Sequence, residues 1–132
     1  MGVALYVVAE REVPGLDTFV NGKALGRSRS LDKLAQLAGV RPLMEFFSQD
    51  PEEAAAFVED EGADPPPGGF PPEQWFPAAD GLATVRGLLS YLVTNPTAAR
   101  DSEAIADDLR EFESVLDRLA TEGVRWHLAV DF

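Results

Sequence analysis

His127 is the only histidine in the chain, and so the only side chain whose ordinary titration falls near neutrality. It stands in the run Arg125-Trp126-His127-Leu128-Ala129-Val130-Asp131. In an extended strand Arg125, His127 and Asp131 project from one face. Such an Arg-x-His-x-x-x-Asp row would form a small polar site. No serine or cysteine nucleophile can be placed beside it from sequence. The row is therefore read as the polar or helix-covered face of a strand. Its three residues are the catalytic candidates of an alternative reading, a small enzyme with a polar cleft around His127.

Other residue sets are weaker in chemistry. Glu103, Asp107 and Glu111 stand at i, i+4 and i+8. No Glu-x-x-His pair accompanies them, as a di-iron bundle requires. Asp60-Glu61-Gly62-Ala63-Asp64 does not fit the calcium-binding loop. These carboxylates read as a solvated acidic face, and no metal or cofactor is expected. Gly22-Lys23-Ala24-Leu25-Gly26-Arg27-Ser28 lacks the spacing of a phosphate loop. With Arg29 and Lys33 it remains a locally basic patch. Trp75 and Phe76 lie beside a proline-rich stretch, residues 63–72. Trp75 reads as core, with a surface groove as the alternative, because a tryptophan has so much apolar area to bury.

The elements that must position these groups are clearest at the C-terminal end. Ile105, Leu109, Phe112, Leu116 and Leu119 recur in steps of four and three, the stripe of an amphipathic helix. Asp101 or Ser102 is expected to cap it, and Gly123 to end it in the left-handed conformation. Asp107, Asp108 and Glu111 fall on its polar faces. The period then changes to two. Val124, Trp126, Leu128, Val130 and Phe132 form one strand face, opposite Arg125, His127, Ala129 and Asp131. Near the other end, residues 3–9 read as a strand buried on both sides. Asn21-Gly22 predicts a hairpin across residues 18–25.

Ser30 is expected to cap a helix with Leu31, Leu34, Leu37 and Ala38 inward. Residues 41–47 form a short helical piece. Asp50-Pro51-Glu52-Glu53 starts a helix presenting Ala54, Phe57 and Val58. Asp80 is expected to cap a helix bearing Leu82, Val85, Leu88, Leu89, Leu92 and Val93, stopped by Asn95-Pro96.

Composition bounds the function. The chain has 132 residues, 45% hydrophobic and 26% charged, as in globular domains. Neither half has a convincing core alone, so residues 1–132 are read as one domain, with 63–72 as an internal loop. No apolar run approaches the roughly 20 residues of a membrane span. The opening Met1–Glu10 has no basic start and is not read as a signal peptide. The absence of cysteine suits a cytoplasmic setting.

The net charge is −12, unevenly placed. Residues 1–49 hold six basic and five acidic side chains; residues 50–132 hold five and eighteen. Such a surface repels phosphate backbones and disfavours nucleic acid. It suits solubility first and a basic protein partner second.

Three features carry a family likeness: Met1-Gly2 before a strand with Tyr6, a Trp75 turn leading into a leucine-rich helix to Leu92, and the closing helix then strand. In these the chain resembles the YfbM-like bacterial domains of unknown function. The resemblance implies an α+β domain with strands near both termini and names no catalytic residue. It does not reach residues 10–72.

The expected fold is α+β: a small sheet containing both terminal strands, packed against about five helices. Two strands alone are marginal, so a third is expected from residues 18–25 or from a second chain in a homodimer. The expected function is protein binding, in one form an immunity- or antitoxin-like neutraliser of a basic partner. Trp75, Phe76, Glu103, Asp107 and Glu111 are the expected binding residues. A structural subunit of a complex is the third reading.

Overall fold

In a computed structural model, residues 4–18, 20, 22–28, 30–64 and 66–131 are described, with Asp131 described by its backbone alone. The chain builds β1 (Ala4–Ala9), α1 (Lys23–Arg27), α2 (Leu31–Ala38), a 3-10 turn (Leu43–Phe46), α3 (Pro51–Asp60), α4 (Ala78–Thr94), α5 (Ser102–Glu122) and β2 (Trp126–Asp131). The terminal strands pair antiparallel, with Leu5 opposite Val130, Val7 opposite Leu128 and Ala9 opposite Trp126. Those residues face the helices, and Leu5, Val7, Trp126 and Leu128 are buried in the core. Tyr6, Val8, His127 and Ala129 share the other face.

The α5 stripe packs as its spacing predicts. Ile105, Leu109, Phe112, Leu116 and Leu119 are all buried, α4 is its main partner, and Gly123 is left-handed with φ 68°. Phe46 lies between elements: it stacks on Trp126 at 5.2 Å, meets Phe76 edge-on at 5.4 Å and lies under the Arg41 guanidinium at 4.4 Å.

Among the described residues of 18–25 no third strand forms; Phe19 lies outside them. Asn21 lies outside the described residues. Gly22 makes a single bridge to Leu5, whose N–H donates to the Gly22 carbonyl at 3.1 Å. A Cβ on Gly22 would overlap the Leu5 carbonyl, so only glycine fits. The chain then turns helical, because the Asp108 carboxylate accepts from the amides of Ala24 and Leu25 and Leu25 enters the core. The far edge is finished by two more bridges, Phe47 to Leu128 and Phe76 to Trp126. Three irregular segments thus do what a third strand would.

Several local expectations change. Asp101 takes the N-cap position of α5 with φ 58° but makes no capping bond; the Ser102 hydroxyl donates to the Pro96 carbonyl instead. Ser30 precedes α2 without a side-chain cap. Leu37 is exposed and Ala35 takes the inward place, as the stripe i, i+3, i+4 from Leu31 requires. The α4 helix starts two residues before Asp80, after Pro77, and Val93 is exposed. Asp50 does cap α3, accepting from the Glu52 N–H at 2.9 Å. That helix buries only Ala54, leaving Phe57 exposed.

Candidate functional site

The outer face of the sheet carries the most unusual polar group. His127 is 2% exposed. Its Nε2 lies 2.6 Å from Glu73 Oε2 and its Nδ1 lies 3.0 Å from the Leu128 carbonyl oxygen. The Trp75 ring covers it at 4.8 Å. Both ring nitrogens are thus engaged inside the protein. Glu73 belongs to the segment that follows the proline-rich loop. The Ser48 hydroxyl accepts from the Gln74 N–H at 2.7 Å, and the Phe76 bridge holds the next residues. His127 therefore works as the inner end of a clamp on residues 73–76.

Beside this clamp runs a groove of about 290 Å³. Tyr6 and Phe47 line it, and α3 adds Phe57, 56% exposed. Asp50, Glu53 and Glu73 add carboxylates to the same lining. A groove with aromatic walls and an acidic rim accepts an apolar side chain with a cation beside it. Ser48 and His127 also line it, the hydroxyl accepting from the Gln74 N–H and the imidazole bonded to Glu73.

The groups that the sequence put in one row separate in space. Arg125 is exposed and forms a two-pronged pair with Glu10, at 2.6 and 2.9 Å. The Arg125 hydrogen bond holds the Glu10 carboxyl below the usual carboxylate range, and Glu10 in turn raises the Arg125 guanidinium. His127 bonds Glu73 instead, and the Asp131 side chain lies outside the described residues. Trp75 is half-buried over His127, while Phe76 packs at the core edge; neither lines the groove. Glu103, Asp107 and Glu111 are exposed on α5, where Asp107 pairs with Arg110 at 2.9 Å. Among the described residues, no group of three or more histidines and carboxylates is placed to hold a metal ion, and no helix is long and apolar enough to cross a membrane.

Tyr6, Phe47, Phe57 and Glu73 were not legible as a site. Phe57 read as an inward residue of its helix. In the fold it is 56% exposed.

In comparisons with known proteins, no family model, curated protein or solved structure matches this chain.

Proposed function

We propose that this chain is a protein-binding module whose groove takes an apolar side chain, flanked by basic residues, from a partner protein. The observation that carries the reading is the convergence of Tyr6, Phe47 and Phe57, all exposed, on one groove with carboxylates at its rim. Apolar anchors in a groove set residence time, whereas rim charges mainly set the rate of encounter. The net charge of −12 favours a basic partner and opposes nucleic acid. Neutralising such a partner, in the manner of an immunity protein or antitoxin, is one form of this role. The cysteine-free chain suits a cytoplasmic setting.

The test uses a random peptide library displayed against the folded protein. Selected peptides should carry an aromatic or large aliphatic residue next to lysine or arginine. Phe47→Ser and Phe57→Ser should each weaken their binding about tenfold or more. Glu53→Lys should slow association, less so as salt rises. Enrichment of acidic peptides, or affinity indifferent to both phenylalanine changes, overturns the reading. Self-association lost in the same variants would instead make a second copy of this chain the occupant.

A further inference from the structure

In a chain with 23 acidic and 11 basic side chains, every cation has carboxylates to choose from. Arg41, Arg110, Arg118 and Arg125 each take one, and Arg86 takes two. Among the described residues Arg11, Lys23, Arg27, Lys33 and Arg100 form no ion pair, and three of these five, Lys23, Arg27 and Arg100, line a single cleft. It measures about 770 Å³ and shares no residue with the groove. Its volume lies in the range of small-molecule sites, about 300–1,000 Å³.

Two elements build this cleft, and a buried carboxylate joins them. Lys23 and Arg27 stand one turn apart on α1, and Arg100 stands in the turn that opens α5. Asp108 of α5 reaches across to accept from the amides of Ala24, at 2.9 Å, and Leu25, at 3.2 Å. That bond fixes α1 against α5, and so fixes two cations against the third. Gathering like charges in a concave site raises the energy of the empty protein and focuses a positive field into the cleft. Nothing in the folding of α1 requires it: Leu25 and the Asp108 bonds secure that helix without either charged head. Asp101 and Asp108 line the cleft as well, leaving an excess of one positive charge. The cleft therefore discriminates: a small univalent anion gains little, whereas a ligand with several charged oxygens meets several donors at once. Guanidinium forks match the paired oxygens of phosphate or carboxylate, and Lys23 adds a point charge.

We propose that this cleft binds a small multivalent anion bearing phosphate or carboxylate groups, held by Lys23, Arg27 and Arg100. The site is separate from the groove and does not depend on how the groove is used.

Titration calorimetry on the full chain, at constant ionic strength, tests this with pyrophosphate as the phosphate probe and citrate as the carboxylate probe. At least one should bind with a dissociation constant below about 1 mM. Binding of pyrophosphate alone assigns the site to phosphate, and binding of citrate alone assigns it to carboxylate. Arg27→Gln and Arg100→Gln should each weaken that binding roughly tenfold, since each removes a charge-assisted contact. Lys33→Gln, which removes an unpaired cation outside the cleft, should leave it unchanged. Arg27 and Arg100 are exposed, so these variants should melt as the parent does, and the rise in melting temperature on adding the probe should disappear with them. Failure of both probes at that concentration overturns the proposal. Equal weakening by Lys33→Gln also overturns it, since the attraction would then be diffuse surface charge.

Discussion

Gly81 lies so close to the Trp126 indole that a Cβ on Gly81 would overlap the ring carbons. Helix α4 crosses β2 at this point, and the tryptophan is wholly buried. Its indole N–H finds no acceptor, a cost of about 1–3 kcal/mol. Burying about 150–250 Å² of ring at about 25 cal/mol/Å² contributes roughly 4–6 kcal/mol, so burial wins. Gly81→Ala opposes two effects. Alanine favours a helix interior over glycine by about 1 kcal/mol, but overpacking costs about 1–3 kcal/mol. The expected outcome is net destabilisation by about 1–2 kcal/mol in urea unfolding. A more stable Gly81→Ala protein would show that the ring has room to move.

The Glu73–His127 contact should behave as one unit. Glu73→Ala leaves a buried imidazole nitrogen without its partner, which costs about 1–3 kcal/mol. His127→Ala removes the same bond and also opens a cavity under Trp75, so it should cost more. In a double-mutant cycle the pair should show a coupling of about 0.5–3 kcal/mol. Strictly additive losses would mean that the clamp does not operate in solution. The Trp75→Ala change should also expose His127 and loosen residues 73–76.

How much of this was legible follows from where each partner lies. The α5 stripe, the Gly123 turn and the two faces of β2 depend on neighbours within a few residues, so periodicity shows them directly. Asp108 read as a solvated residue because its partners, the amides of Ala24 and Leu25, are 84 and 83 residues away. The same distance problem hid the Glu73 partner of His127, 54 residues off. Residues 22–25 have weak local preferences, and the Asp108 bonds decide for helix over strand. Leu37 misled because helical spacing alone does not fix which way a short helix turns its stripe: Leu31, Leu34 and Ala35 face the core and Leu37 is exposed. The groove and the cleft each join segments that are remote in sequence, so neither leaves a motif.

Helix α3 should be the least secure wall of the groove. It buries only Ala54, and Asp50 is the residue that fastens its first turn. Asp50→Ala should cost about 1 kcal/mol. Much of that loss should appear as faster hydrogen exchange of α3 amides, with a smaller change in the global transition, because weakly packed segments open locally. Peptide binding in the groove should weaken with it. Uniformly faster exchange across α4 and α5 as well would contradict this local view.

Asp108 should give stability an unusual dependence on pH. Burial pushes its carboxyl above the ordinary value of 3.8; the amides of Leu25 and Ala24 oppose this, and the nearby carboxylates of Glu111 and Asp107 reinforce it. The unfolded chain therefore releases this proton at lower pH than the folded one. Between the two values the folded state binds more protons, so the contribution of Asp108 to stability falls as pH rises through that window. It is full below the unfolded value and stays reduced above the folded one. Glu10 runs the other way: its lowered carboxyl adds stability above its unfolded value, which is lost as pH falls through the folded one. Asp108→Asn isolates the first effect, because asparagine matches the protonated acid in shape and cannot titrate. At low pH the two proteins should be nearly equal in stability. As pH rises above the ordinary value of 3.8, the parent should lose ground against Asp108→Asn in urea unfolding at fixed salt, until the folded carboxyl is fully ionised. A parent that gains on the variant as pH rises would mean that the amides of Ala24 and Leu25 outweigh the cost of burial.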